Sequence, residues 1–469
     1  MSLWQYGICL WLKMEFKNRS FGILGAARSG IAAAKKLLQL EANVFLTDKR
    51  PISELSIDDD LISKIVYKFG DNSDKLLDCD TIIVSPGIPL TIPILKNASK
   101  RGIRIISEIE LGYQICKKTN LKIIGITGSN GKSTTASLIY HILARQYKDV
   151  ILAGNIGSPF TAYPLETGKI KFAVLEISSF QLDTIWQFHP YISIILNITP
   201  DHLNRYMDFD HYRTSKSRIF LNQDENDFCI LNYKDENCTY IAKYCKAQKI
   251  FFNNANGMVH QERSNIVIKM DNERIVIPKR KIKLKGPHNL ANIESAIYTS
   301  LLLNVEVDKI IEGIVSFSGL VHRLEYVDEI NSIKFINDSK ATNTDAVKYA
   351  LQSYDKPIVL IMGGSDKGED FSILKPYIKN VICLILLGET AEKIKNDLSK
   401  KSYGQTNIPI VFVNDMKEAV QRAYKNAVPD SYVLLSPACA SYDQFDNFEQ
   451  RGEIFKKYVR ELKNSIIAH

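Results

Sequence analysis

The stretch Gly125-Ile126-Thr127-Gly128-Ser129-Asn130-Gly131-Lys132-Ser133-Thr134-Thr135 constrains the fold of this chain more than any other. Residues 121–124 ahead of it have the apolar character of a short buried strand. Residues 136–145 behind it place Leu138, Ile139, Ile142 and Leu143 on one helical face. A strand, a glycine-rich turn, Lys-Ser and a helix form the arrangement that cradles a polyphosphate. Glycines let backbone N–H groups converge on anionic oxygens, and the helix N-terminus adds roughly half a positive charge. Lys132 can reach the β/γ-phosphates, and the Ser133 or Thr134 hydroxyl can ligate Mg²⁺. The spacing is a variant, because Ile126 stands where the strict motif has its first glycine, while Gly128 is an extra one inside the loop.

At about 150 residues per domain, 469 residues predict three domains. We place them at 1–110, 111–319 and 320–469. The 45% hydrophobic and 24% charged content is that of a soluble globular protein. The net charge of +8 is spread thinly, and no Lys/Arg block interleaves with aromatics, so no nucleic-acid partner is expected. The eight cysteines form no CxxC pair, which fits reduced thiols in a cytoplasmic protein better than disulfides or a zinc site. No apolar run reaches about 18 residues, so membrane insertion is not expected either. Residues 1–13 (MSLWQYGICLWLK) are apolar but lack a basic lead-in and a small-residue cleavage site; translation is expected to start at Met14.

The first segment opens with an apolar strand ending at Gly25, a turn through Arg28, Ser29 and Gly30, and a helix to Leu40. A second strand then ends in Asp48. This is half of a dinucleotide-type βαβ unit, with Asp48 where such folds bind a ribose hydroxyl. Ala26-Ala27 breaks the usual glycine pattern, and an ordinary α/β turn accounts for these residues equally well. A further strand from Thr81 breaks at Pro86-Gly87.

In the middle segment, an apolar strand ends in Glu176, where phosphate-loop proteins place a Mg²⁺ carboxylate. Residues 192–198 form another strand, followed by Thr199-Pro200-Asp201-His202. Residues 212–218 read by themselves as a basic helix with a solvated face. Asn289 and Asn292, three apart on a helix, could address a base edge. The last segment repeats strands and helices as an α/β domain with a mostly parallel sheet. Polar loops follow three of its strands: 337–343, 363–368 and 436–445. Together they outline a small pocket at the sheet's carboxyl edge, where Lys340 and Lys367 suit an anionic substrate.

TGSNGKSTT, LEISSFQL, NITPDHLNRY, YRTSKSR, GPHNLAN, HRLE, NDSKATN and SPACASYDQFDNFEQRG occur in this order from about residue 20 to the C-terminus. In this series the chain resembles the Mur ligases, ATP-dependent amide-forming enzymes of peptidoglycan precursor synthesis. SSFQL and the SPACASYDQF tail resemble the branch that adds D-glutamate to UDP-N-acetylmuramoyl-L-alanine. The resemblance implies an α/β fold of three domains: an N-terminal Rossmann-like UDP-binding domain, a central phosphate-loop ATPase domain and a C-terminal Rossmann-like domain. It implies ATP and Mg²⁺, with two ions, small-molecule substrates and a monomer.

By the same resemblance Lys132, Glu176, His202, Lys216 and Lys340 would be catalytic, with Ser133, Glu176 and His202 holding metal. Lys216 matches a lysine carried as a carbamate, which would make it a metal ligand too. Gly128, Ser129, Asn130, Gly131, Lys132, Ser133, Thr134, Asn289, Asn292, Arg323 and Asp338 would contact ATP. Arg28, Ser29, Gly30, Asp48, Lys49, Arg50, Gly87, Asn155 and His202 would contact the UDP substrate. Thr342, Lys367, Ser441 and Phe448 would contact D-glutamate. Two other readings stand beside this one. One is a ligase of the same architecture for a different amino acid or a folate; the other is a nucleotide-dependent binding protein without turnover.

Overall fold

The structure is a computed structural model that describes residues 14–469 apart from 72, 202–204, 271–272, 285, 367, 400–407 and 468–469. The expectations for residues 1–13, His202 and Lys367 therefore lie outside the described residues. Contacts divide the chain into two compact units. One comprises the chain to Lys281 with Ala291–Val315, the other Ile282–Leu290 with Ser316–His469.

Among the described residues the first unit holds three sheets. Strands β1 (Ser20–Leu24), β2 (Asn43–Asp48), β3 (Val66–Phe69), β4 (Thr81–Val84) and β5 (Arg104–Ile106) form a parallel sheet in the order β3-β2-β1-β4-β5. The helix Arg28–Gln39 lies so close to β1 that a Cβ on Gly30 would sit 1.9 Å from the Gly25 carbonyl oxygen. Only glycine fits there.

Strands β6 (Lys122–Thr127), β7 (Val150–Gly154), β8 (Phe172–Glu176), β9 (Ile192–Ile195), β10 (Phe228–Asn232) and β11 (Gln248–Phe252) form a second parallel sheet. Its order is β11-β10-β9-β6-β8-β7. The apolar run of β8 is buried throughout, as a strand covered on both faces requires. The order matters for function: the phosphate loop leaves the carboxyl end of β6, with the ends of β9 and β8 on either side. A small antiparallel sheet, β12 (Val259–Gln261), β13 (Asn265–Met270) and β14 (Glu273–Pro278), follows.

The second unit is built on β15 (Glu325–Ile330), β16 (Ile333–Asn337), β17 (Ile358–Met362), β18 (Val381–Leu386), β19 (Ile410–Phe412) and β20 (Ser431–Leu435). They run in the order β15-β16-β20-β17-β18-β19, parallel except for the β15–β16 hairpin. Separate apolar layers cover its two faces, one centred on Leu360, Met362, Phe371 and Ile394, the other on Phe335, Val420, Phe455 and Val459. Strands β16, β20 and β17 are neighbours, so the three polar loops expected to form one pocket leave adjacent strand ends.

Candidate active site

The phosphate loop is held from several directions. Gly131 caps the helix Lys132–Leu143 at φ 87°, a left-handed value that glycine adopts without strain. The helix therefore begins at Lys132, four residues earlier than its apolar periodicity indicates. Across the loop, the Asn197 amide binds Asn130 reciprocally. Its Oδ1 accepts from the Asn130 N–H at 2.8 Å and its Nδ2 donates to the Asn130 carbonyl at 3.0 Å. The strand expected over 192–198 ends at Ile195, which leaves Asn197 free to make this clamp. Ser129 Oγ donates to the Thr199 carbonyl at 2.8 Å and lies 3.1 Å from the Tyr212 hydroxyl. A Cβ on Gly131 would stand 2.8 Å from Asn292 Oδ1, so this amide packs on the loop.

Two lysines converge on one loop carbonyl. Lys132 Nζ donates to the Gly128 and Ser129 carbonyls, each at 2.8 Å, and Lys216 Nζ donates to the Gly128 carbonyl at 2.8 Å. Lys216 lies on the helix Phe209–Ser217 and is buried, so the solvated basic face read from this segment does not hold. Its side chain is buried with Tyr212, and Nζ lies 4.6 Å over the Tyr212 ring. Burial first, and the Lys132 charge second, push its pKa well below the ordinary lysine value, against the weaker pull of Asp201.

Glu176 closes β8 beside the loop. Its Oε1 accepts from Asn155 Nδ2 at 2.9 Å, while Oε2 is buried with no hydrogen-bond partner among the described residues. A buried, orphaned carboxylate oxygen next to a phosphate loop fits a hard cation such as Mg²⁺. Ser133 stands in the first turn of the loop's helix. Asn155, expected on the UDP side, is thus also a partner of the metal-type carboxylate.

In the first sheet, Asp48 accepts from the Ala26 N–H at 2.7 Å and from Arg50 Nη2 at 2.9 Å. Burial acts to raise its pKa, but the bonds from Arg50 and Ala26 prevail and hold it at about 2. Its carboxylate thus fixes the turn at Ala26 and the Arg50 side chain. Arg28 reaches the Gly157 carbonyl at 3.3 Å, close in sequence to Asn155. Ser29 and Gly30 follow in the first turn of the helix, and Lys49 is solvent-exposed. The Gly87 carbonyl accepts from Arg205 Nη1 at 3.0 Å, and Arg205 lies 4.0 Å over the Phe180 ring. Arg205 thereby ties the β4 turn to the segment that follows β9.

In the second unit, Asp338 leaves the end of β16. It accepts from the Leu324 N–H at 3.2 Å and the Ser436 hydroxyl at 2.9 Å. Burial raises its pKa to about 6, opposed by Arg323, which lies close enough to act on it. Arg323 is bracketed by left-handed residues, His322 at φ 64° and Leu324 at φ 45°. Asn289 is buried on the helix Pro287–Leu302. Lys340 Nζ lies 5.5 Å over the Phe448 ring, and the Phe448 carbonyl accepts from Ser339 Oγ at 2.8 Å. Thr342 is half-buried on the β16 loop and Ser441 buried on the β20 loop.

Asn197, Arg205 and Arg451, whose Nη2 donates to the Ser339 and Cys439 carbonyls at 2.9 and 3.0 Å, carry much of this geometry and were not singled out by sequence reasoning. Each lies within a quoted motif, NITPDHLNRY or the FEQRG tail, and that was the signal available for them.

A nucleotide-type α/β sheet, a second parallel sheet carrying a phosphate loop, and a third sheet with polar strand-end loops define a nucleotide-dependent enzyme of three α/β domains. The chain belongs to the Mur ligase family. It matches the family's MurD-like N-terminal domain over residues 19–107, its middle domain over 126–300 and its glutamate ligase domain over 322–439. It is 39% identical over 460 residues to the UDP-N-acetylmuramoylalanine–D-glutamate ligase of Clostridioides difficile, covering 96% of this chain and 100% of that one. The enzyme of the same name from Caldicellulosiruptor bescii is 41% identical over 458 residues, covering 96% and 99%. Among solved structures, the UDP-N-acetylmuramate–alanine ligase MurC of Thermotoga maritima superposes with a TM-score of 0.60 at 17% identity, covering 95% of this chain and 100% of that one.

Proposed function

We propose that this protein is an ATP-dependent carboxylate–amine ligase of peptidoglycan precursor synthesis. It joins D-glutamate to UDP-N-acetylmuramoyl-L-alanine, giving UDP-N-acetylmuramoyl-L-alanyl-D-glutamate, ADP and phosphate. The observation that carries this reading is near-full-length identity of about two residues in five to ligases of that name, in a chain whose phosphate loop gathers Lys132, Lys216 and Glu176.

The substrate carboxylate attacks the γ-phosphorus of ATP, ADP departs, and an acyl phosphate forms. The D-glutamate amine then adds to the acyl carbon, and the tetrahedral adduct loses phosphate and a proton to leave the amide. Lys132 and the loop N–H groups offset the charge of the phosphoryl group in flight. Glu176 and Ser133, with His202, would hold Mg²⁺. The ion would supply charge neutralisation for the transferring phosphoryl group.

The depressed pKa of Lys216 favours the free amine, the form that adds to CO₂. As a carbamate it carries a negative charge and becomes a hard oxygen ligand. Lys340 is assigned to the reacting phosphate. Gly128, Ser129, Asn130, Gly131, Thr134, Asn289, Asn292, Arg323 and Asp338 are assigned to ATP, and Thr342, Lys367, Ser441 and Phe448 to D-glutamate. Arg28, Ser29, Gly30, Asp48, Lys49, Arg50, Gly87, Asn155 and His202 form the UDP side.

Domain boundaries at 110/111 and 319/320, a cytoplasmic location and a monomeric state complete the proposal. No described helix is long and apolar enough to cross a membrane. The test is phosphate release from ATP with UDP-N-acetylmuramoyl-L-alanine, Mg²⁺ and either D- or L-glutamate. Release that requires the nucleotide sugar and the D isomer supports the reading. Preference for L-alanine or a diamino acid would remove it.

A further inference from the structure

The first unit also carries a groove of about 500 Å³ between the helix Pro93–Lys100, the start of β5 and the residues just after the helix Ser179–Leu182. Small-molecule sites are typically about 300–1,000 Å³. Leu90, Leu95, Ile103 and Ile105 build its apolar side. Ile103 and Ile105, two apart where the edge strand β5 begins, share one face. Arg104 between them turns to the other face and lies 3.4 Å over the Trp186 ring. Leu95 is buried, but Leu90, Ile103 and Ile105 are only half-buried and leave apolar surface open to the groove.

Lys96 and Lys100 line the same groove, four apart on one face of the helix. Both are exposed, and among the described residues neither ammonium has an ion pair or a hydrogen bond. Asp183 also lines the groove, but its carboxylate is engaged. It accepts from the Tyr206 hydroxyl at 3.0 Å, and its charge acts on Arg205. Arg205 Nη2 donates in turn to the Ile88 carbonyl at 2.7 Å, two residues before Leu90. These bonds tie the walls together, so the groove is formed before any ligand enters. Its uncommitted charge is positive and borders an apolar surface. None of the residues lining it is among those assigned to ATP, the UDP substrate or D-glutamate.

The geometry points to a second ligand site, separate from the catalytic residues, for a small amphipathic organic anion. The apolar body of the ligand covers Leu90, Ile103 and Ile105. Its carboxylate, sulfonate or phosphate lies against the Lys96 and Lys100 ammonium groups. A single exposed lysine is ordinary surface, but two on one helical face beside uncovered apolar side chains match both halves of one molecule. Such a site exists whichever acceptor the enzyme uses.

The probe is 8-anilinonaphthalene-1-sulfonate, an aromatic body with one sulfonate, followed by its fluorescence. It is titrated into the full chain in the presence of saturating ADP and UDP-N-acetylmuramoyl-L-alanine, which fill the sites assigned to the substrates. N-phenyl-1-naphthylamine, the same body without the sulfonate, is the neutral control. The wild type is expected to take up the sulfonate probe at least about tenfold more tightly than the neutral one. K96E/K100E should weaken the sulfonate probe about tenfold or more and leave the neutral one within about threefold, with melting temperature and phosphate release unchanged. If that variant does not fold, K96Q/K100Q takes its place and should still weaken the sulfonate probe at least about threefold. Equal affinity for the sulfonate probe in wild type and variant would overturn the site. So would a neutral probe bound as tightly as the charged one, or no saturable binding of the sulfonate probe at all.

Discussion

Replacing Asn197 tests whether the phosphate loop is held in its binding geometry from outside. In Asn197→Ala both amide bonds to Asn130 are lost, one of 2.8 Å accepted from its N–H and one of 3.0 Å donated to its carbonyl. A net contribution of about 1 kcal/mol for each bond gives about 2 kcal/mol of loop ordering. Asn130 is half-buried, so water can partly replace the amide, and the larger penalty of a fully buried orphan does not apply. About 2 kcal/mol corresponds to about a 30-fold fall in kcat/KM for ATP. Asn197→Asp is the sharper probe. It keeps an acceptor for the Asn130 N–H but sets a carboxylate oxygen against the Asn130 carbonyl, so the loss should be at least as large. The assay is steady-state phosphate release at varied ATP, with a melting curve to show that each variant is folded. An Asn197→Ala protein of normal melting temperature, with kcat/KM for ATP within about threefold of wild type, would refute the argument.

Further outcomes follow from the same geometry. Lys132→Met should abolish phosphate release, because its charge is the one aimed along the loop carbonyls; near-normal turnover would mean that this loop does not bind the polyphosphate. Lys216→Ala should lower kcat by orders of magnitude and regain part of it with added short carboxylates, and full activity without rescue would argue against a carbamate.

Glu108, buried with Oε1 bonded to Thr161, has its pKa raised from 4.5 to about 7 by burial. Folding therefore favours its protonated form. The associated stability is full below about pH 4.5 and is lost as pH rises to about 7, a change of about 3 kcal/mol at 1.36 kcal/mol per unit. Glu108→Gln should flatten the pH dependence of thermal stability over that range, which a series of melts from acid to neutral pH would read. An unchanged slope would contradict the assignment.

What the sequence disclosed was local, and what it hid was a matter of contacts between distant residues. The phosphate loop was legible because its glycines, lysine and flanking periodicities lie within one short stretch. So were most parallel strands, since strands buried on both faces are continuous apolar runs such as Ile358–Met362. The helix start was misplaced because Gly131 caps it by backbone conformation, which apolar periodicity does not report. Lys216 read as a surface charge because nothing nearby in sequence shows that the β6 loop closes over it. Asn197 and Asn130 are 67 residues apart, and Arg451 and Ser339 are 112 apart. Only the sheet orders, β9-β6-β8 and β16-β20-β17, bring such residues together. The β12–β14 sheet went unread, as its short strands carry charges such as Lys269 and Arg274 that blur the alternation.

The most direct test of the central claim is to follow the substrate's own oxygen. UDP-N-acetylmuramoyl-L-alanine carrying heavy oxygen in its alanyl carboxylate would be turned over with ATP, Mg²⁺ and D-glutamate, and the phosphate examined by mass spectrometry. Transfer of one labelled oxygen into each phosphate released is predicted, since the carboxylate oxygen that takes the γ-phosphoryl group leaves with it. Phosphate free of label, released while ATP is consumed, would mean that water and not the carboxylate attacks, and would contradict the account.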